Sequence, residues 1–504
     1  MYRQATRGRT VAVVIAAVML CARSASAQSD PWVGPPSLDA PFTSGATGLF
    51  ARADTPPLFG VQNPPTIVCT GCPARRLGTA FLQVTYINVF YGLANLIRGQ
   101  DTAKITPETW WENMKRGWEW DLDEFTVNQF GHPYQGNNYF TAGRANGLSF
   151  WESAALTAFG SGTWEYFGET NQASLNDFIN TTMGGIALGE MFHRAAWLVR
   201  NPRKTGKARL WSEIGAMAID PVTGYNRFRS GDASRVSDKP SDMVPSQLDA
   251  ITWAGVSWRH NDADDTWSTD PLLEVDVLYG NIEEGRSRQP YDAFVVRLAF
   301  GAGSPVSEVR VRGRLIGKPL GKGVQFTIDQ GYQYNKNDAY QFGAQSVDFD
   351  FSILRNLTSS TQFFALGWGG FLVLGAVDSI PPPGSVVPGE PGEGEDAGQG
   401  VSTGPRNYDY GPGTNFGGLA EIRHGRTNVR FSYEAHQLHV LDGARANHLL
   451  QRARADLRFP VRGKLGIGVT AEFFDRHTFF QEEGVEDADF HFPQLRVAMT
   501  WGGS

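Results

Sequence analysis

The chain has 504 residues, of which 41% are hydrophobic and 19% charged, and a formal net charge of −7. Its first 27 or so residues carry four arginines and no acids, so their removal takes that charge to about −11 (−7 − 4). The remainder, about 477 residues, is mildly acidic, which excludes nucleic acid as a partner, and is long enough for two or three domains with substantial cores.

Arg3, Arg7 and Arg9 precede an apolar run from Val11 to Cys21, and Ala25-Ser26-Ala27 supplies a small-x-small cleavage signal. Residues 1–27 therefore read as a secretory signal peptide. Leu20 stands before Cys21 where a lipid-attachment signal wants a small residue, so a lipoprotein reading fails. Residues 28–78 are rich in Pro, Gly and Ser and read as an extended arm. Near its end Cys69 and Cys72, in CTGC, form a disulfide candidate in an exported chain. No βαβ context supports a redox centre, and two cysteines alone leave a metal site incomplete.

Past the leader, no run reaches the roughly 18 uninterrupted apolar residues of a spanning helix. The nearest, Phe81 to Ile97, is broken by Gln83, Asn88 and Asn95. If the mature chain is integral to a membrane, it must be as a barrel.

Residues 79–230 have helical periodicity and read as a mostly α-helical module on the periplasmic side. The spacing predicts helices over Thr79 to Arg98, Phe150 to Phe167, Leu175 to Arg200 and Arg209 to Ile219, the last two closed by Pro202 and Pro221. Gly185 and Gly189 make a GxxxG pattern suited to close helix approach.

The densest chemistry lies here. WEWDLDEFTVNQFGHPYQG, YFTAGRANGLSFWES, WEYFGE, and NDFIN followed by GGIALGE resemble the domain-of-unknown-function family numbered 3943, uncharacterised bacterial envelope proteins, over about residues 110–230. The resemblance implies an envelope setting and carries no catalytic residues with it. The polar order His132, Glu165, Asp177, Asn180 ahead of a Gly-bearing helix is also similar to VanZ-like membrane proteins, with different spacing and less apolar helices.

Pro133 biases His132 toward an extended backbone, placing the imidazole at a turn or helix entrance. One reading is structural, with His132 bonded to a carbonyl or to Asp121 or Asp123. The other makes His132, Glu165 and Asp177 a catalytic set, with Asn128, Asn176 and Asn180 as amide donors and Glu152 and Glu169 as further polar candidates. Glu152 and Glu165 are 13 residues apart, on roughly opposite sides of one helix, and do not form a carboxylate pair. No HExxH or comparable ligand spacing occurs, so no metal site is assigned and the cofactor stays unknown.

Residues 231–248 read as a linker. From 249 to 504 the period changes to 2. Apolar residues fill one phase, as in Leu273, Val275, Val277, Tyr279; Phe294, Val296, Leu298, Phe300; Val309, Val311. The other phase holds Glu274, Asp276, Arg310, Arg312, Arg314, Asp348, Asp350, Arg452, Arg454 and Asp456, which are predicted to face a lumen. Apolar-out, charged-in alternation over about twelve segments predicts a transmembrane antiparallel β-barrel in the outer membrane of a Gram-negative bacterium. Its mixed charges are expected to pair and narrow the lumen. One connection, Ile282 to Tyr291, is long for a periplasmic turn. The module is expected to cap the periplasmic mouth or lie against the inner leaflet. Outer-membrane lipids and the barrel-assembly machinery are the expected partners, and any small-molecule or lipid ligand is unknown. The leading functional expectation is envelope maintenance or transport. The alternative is a membrane-surface hydrolase acting on lipid or another envelope component.

Overall fold

A computed structural model describes residues 70–261, 265–283, 285–301, 304–337, 340–379, 407–482 and 484–502. The leader and most of the arm, with Cys69, lie outside these; Cys72 is disulfide-bonded.

The module's helices are α1 (Leu77–Ile97), α2 (Pro107–Arg116), α3 (His132–Ala145), α4 (Phe150–Phe167), α5 (Leu175–Ile179), α6 (Gly185–Val199), α7 (Gly206–Ile219) and α8 (Pro221–Ser230). π-helical turns at Val127–Gly131 and Asn180–Gly184 lead into α3 and α6. Two short strands, β1 (Trp118–Glu119) and β2 (Ala173–Ser174), pair in parallel. The long helix expected from 175 to 200 is therefore one run widened by a π turn.

The expected break at His132 does not occur. His132 has helical angles, φ −61° and ψ −47°, and its N–H bonds back to the Val127 carbonyl, five residues earlier. In an α-helix Pro133 would lose its bond and clash with the carbonyl four residues before it. The wider π turn supplies the room, so the chain passes through the proline without leaving the helix. Across from it, α3 and α6 meet backbone to backbone. A Cβ on Gly136 would lie 1.8 Å from the Thr181 carbonyl oxygen, and one on Gly185 would lie 2.5 Å from Gly136.

The segment after α8 is fastened rather than free: Arg209 donates to the carbonyls of Asp232, Ala233 and Arg235. Beyond it the strands β3 (Leu248–Asn261), β4 (Thr266–Tyr279), β5 (Phe294–Gly301), β6 (Ser304–Gly321), β7 (Val324–Lys336), β8 (Gln341–Asn356), β9 (Thr361–Asp378), β10 (Tyr408–His424), β11 (Thr427–His439), β12 (Ala446–Arg462), β13 (Leu465–Phe480) and β14 (Ala488–Gly502) follow. They form a closed antiparallel barrel of twelve strands, sealed by pairing of β14 with β3. An even number of strands with both chain ends on one side is the architecture of outer-membrane barrels.

The charged phase points inward and pairs. Arg310 reaches across to Glu434 at 2.8 Å, Arg452 meets Glu308 at 3.1 Å, and Arg454 and Arg496 share Glu274 at 2.7 and 2.9 Å. Asp276 takes Arg297 at 2.8 Å, Arg312 meets both Asp348 and Asp350, and Asp456 takes Arg454 at 2.9 Å. Toward the β7–β8 end the Tyr340 and Phe474 rings stack at 3.8 Å beside Phe492. A cavity of about 40 Å³ remains among these groups, room for roughly three waters. The long connection after β4 turns inward at the other end: Arg314 donates to the Ile282 carbonyl, and Glu283 pairs with Arg423 of β10.

The helical module does not cap a mouth of the barrel. It lies along the outer wall, where Phe125, Phe140, Phe150, Ile186, Leu188 and Met191 share one core with the outward residues Tyr279, Phe294, Val296, Leu298, Val309, Val311, Tyr332, Tyr334, Tyr408 and Tyr410. The apolar phase of these strands meets protein there, not lipid. A period-2 pattern specifies an apolar outer face and is blind to what covers it.

Residues 81–97 lie in one continuous helix, α1. Gln83 and Asn88 are absorbed by bonds within the module, to Asn226, Asn146, Thr163 and Tyr139. By length and composition alone α1 is long and apolar enough to cross a membrane, and little of it is buried. Its 21 residues reach about 32 Å, the thickness of a bilayer's hydrocarbon core.

Candidate functional site

Three elements that are far apart in sequence deliver His132, Glu165 and Asp177 to one point inside the module. Ligand atoms of the three all lie within 4.8 Å of one another. The residues are 7%, 4% and 4% exposed.

Local sequence explains each placement. The π turn at 127–131 rotates His132 inward at the head of α3. Glu165 stands in the last turn of α4, a helix begun by the capping box of Ser149 and Glu152. Ser174 caps α5, accepting the Asp177 N–H at 3.3 Å, which sets Asp177 in the first turn.

Every member also makes a hydrogen bond to a group outside the set. His132 Nδ1 meets the Thr181 hydroxyl at 3.1 Å, which leaves Nε2 facing Asp177 Oδ2 at 3.5 Å. Asp177 Oδ1 accepts from Asn176 Nδ2 at 2.9 Å. Glu165 Oε2 accepts the Ser174 backbone N–H at 2.9 Å.

The barrel wall supports this shell. Asn176 bonds Asp121 at 3.0 Å and reaches the Tyr410 hydroxyl at 3.4 Å. Asn128 donates to Asp121 at 2.6 Å and to the Tyr408 hydroxyl at 2.8 Å. Gln129 donates to Tyr410 at 3.1 Å, and its carbonyl accepts from Tyr332 at 2.7 Å. The loop carrying Asp121 has an apolar rim, with Trp118, Leu122 and Val127 exposed.

Other candidates fall elsewhere. Glu152 caps α4 and pairs with Arg75 at 2.7 Å, a structural role. Glu169 accepts from Trp164 Nε1 at 3.1 Å beside the cluster, outside the set of three. Asn180, one turn beyond Asp177, is fully buried with neither amide atom hydrogen-bonded. The charged lumen residues belong to the barrel interior described above.

Thr181 and the barrel tyrosines escaped the sequence reading. Thr181 looks like an ordinary helix residue, whereas Ser174 stands at capping spacing from Asp177. The alternation Tyr408, Asp409, Tyr410 did carry a trace, since it sets two hydroxyls on an outer face that lipid contact would leave apolar.

A fragment of the chain can now be placed. Residues 117–222 match the profile of the family described as Domain of unknown function (DUF3943). Those residues contain the entire cluster and its supporting shell inside the module. None of the curated proteins matches the chain. Among solved structures the barrel is similar to the NanC porin (8% identity, TM-score 0.26, 50% of this chain and 98% of that one). Others are an anion-selective porin from Comamonas acidovorans (7%, 0.23, 51% and 99%) and the COG4313 outer membrane channel from Pseudomonas putida F1 (11%, 0.24, 52% and 100%).

Proposed function

We propose that the protein is an integral outer-membrane protein whose barrel is a closed scaffold and whose helical module is the working part, a hydrolase acting on lipid or another envelope component. The carrying observation is the convergence of His132, Glu165 and Asp177 within 4.8 Å in a module docked on the barrel's apolar outer wall. A water among these groups meets two carboxylates and an imidazole, the groups that take its proton as it attacks an acyl or phosphoryl centre. The exposed apolar face of α1 and the rim of Trp118, Leu122 and Val127 suit a substrate with an acyl part. Paired charge, stacked rings and the inward-turned connection argue against an open pore.

Lipid profiling of a deletion strain tests this reading. Complementation with His132→Ala or Glu165→Gln is expected to leave the deletion profile unchanged although the variants reach the membrane at the wild-type level. Restoration of the profile by His132→Ala overturns the hydrolase. In planar bilayers the purified protein is expected to be silent, and stepwise conductance overturns the closed scaffold.

A further inference from the structure

We propose that His132, Glu165 and Asp177 hold one divalent first-row metal ion, of the Zn²⁺ class, with a fourth position open to water or substrate. The inference deepens the hydrolytic reading of the same cluster and rests on it for its purpose, though not for its geometry.

Charge is the first argument. Five acids of the described module are almost fully buried: Glu165, Asp177, Glu190, Glu213 and Asp220. Glu190 is met by Arg144 and Arg194, Glu213 by Arg200, Arg209 and Arg227, and Asp220 by His193 at 2.9 Å. Among the described residues neither Glu165 nor Asp177 has an arginine or lysine partner. An isolated charge in such an interior is very costly. Ionised, the two carboxylates of the set carry −2 beside a neutral imidazole, and Asp121, hydrogen-bonded to Asp177, adds a further acid beside them, a concentration of negative charge that a dication offsets.

Geometry is the second. Zinc bonds to nitrogen and carboxylate oxygen are about 2.0–2.2 Å, so neighbouring ligands of a tetrahedral ion stand about 3.3–3.5 Å apart. His132 Nε2 and Asp177 Oδ2 are already 3.5 Å apart. The limit of 4.8 Å for the set leaves a contraction of at most about 1.3 Å (4.8 − 3.5) to that spacing.

Orientation is the third. Metal-bound histidines donate their other ring N–H to a fixed acceptor, and metal-bound carboxylates are themselves hydrogen-bonded. Thr181, Asn176 and Ser174 fill those places, on His132 Nδ1, Asp177 Oδ1 and Glu165 Oε2. With Nδ1 donating to Thr181, Nε2 presents a lone pair to a carboxylate oxygen, a contact that a cation between them makes favourable. Asn180, three residues on from Asp177, is buried with both amide atoms unpartnered.

The test uses the full-length protein, purified in detergent, stripped with a chelator and returned to Zn²⁺ or Co²⁺. Elemental analysis is expected to find one Zn²⁺ per chain, and Co²⁺ is expected to give the visible absorption of a four-coordinate site. Glu165→Gln and Asp177→Asn should abolish binding, Thr181→Val should weaken it about 10- to 100-fold, and Glu152→Gln should leave it unchanged. Heat-modifiable gel mobility and circular dichroism report folding in each case. A folded wild type that retains no Zn²⁺, or cluster variants that bind it as the wild type does, overturns the site. Metal-free protein with a lipid profile still dependent on His132 overturns the metal but keeps the hydrolase. A metal lost in the variants with an unaffected lipid profile keeps the site and removes the hydrolase.

Discussion

Two arcs of the same barrel wall carry the same pattern and meet different neighbours. On β5 to β7 the outward residues Val296, Val309, Val311 and Tyr332 are buried under helices. On β11 to β14 their counterparts Phe431, Ile467, Phe473, Leu495, Val497 and Met499 are exposed. The alternation sets which side chains leave the lumen; shape and polar anchors set whether lipid or protein receives them. Tyrosines mark where the module sits, since Tyr279 on β4, Tyr332 on β7 and Tyr408 and Tyr410 on β10 carry hydroxyls that the module bonds.

Charge placed on the two arcs breaks the comparison most directly. Val311→Lys puts an unpaired ammonium into a dry interface, a cost of several kcal/mol. The module is expected to detach, read as new protease cleavage between residues 70 and 247 in a barrel that still resists. Next in size is Arg194→Ala. Arg194 bonds Glu190 at 2.8 Å and the Tyr279 hydroxyl at 3.4 Å, joining module to wall. Its loss leaves a buried charge short of a partner, about 3–5 kcal/mol, measured as the denaturant at which the module loses hydrogen-exchange protection.

On the bare arc, Val497→Lys is expected to cost about 2–4 kcal/mol near the bilayer midplane and less toward the interfaces. It should lower barrel stability in vesicles and leave the module's protection unchanged; equal exposure of the module in the Val311 and Val497 variants would erase the distinction between the arcs. Smallest is Tyr410→Phe, which removes one hydroxyl from the shell around Asn176 and Gln129. About 1 kcal/mol is expected, as a lower thermal midpoint, with bound metal retained.

The barrel was readable because each strand alternates locally: Glu274 and Asp276 against Leu273 and Val275 need no knowledge of the rest of the chain. The connection Ile282 to Tyr291 stood out as too long for a turn: Ile282 and Glu283 turn toward Arg314 and Arg423, while Gln289 and Pro290 bond Asp242 and Arg194 on the module side. The helix from Phe150 to Phe167 was legible at both ends, because Ser149 and Glu152 cap one end and Gly168 closes the other. The helix through His132-Pro133 was not, because only a π turn, a property of the backbone in place, makes room for the proline.

The candidate cluster divides the same way. Residue types and the matched family segment singled out His132, Glu165 and Asp177, while their mutual distance was invisible: 33 and 12 positions separate them, and no helical or strand period links them. By itself the sequence determined a closed wall with an apolar outside, a charged inside and a helical segment ahead of it, because those are periodicities of neighbouring residues. Only the tertiary structure decided that the helical segment lies on the outer wall and that three polar residues converge there. Both depend on which surfaces meet through space, and local alternation does not encode that.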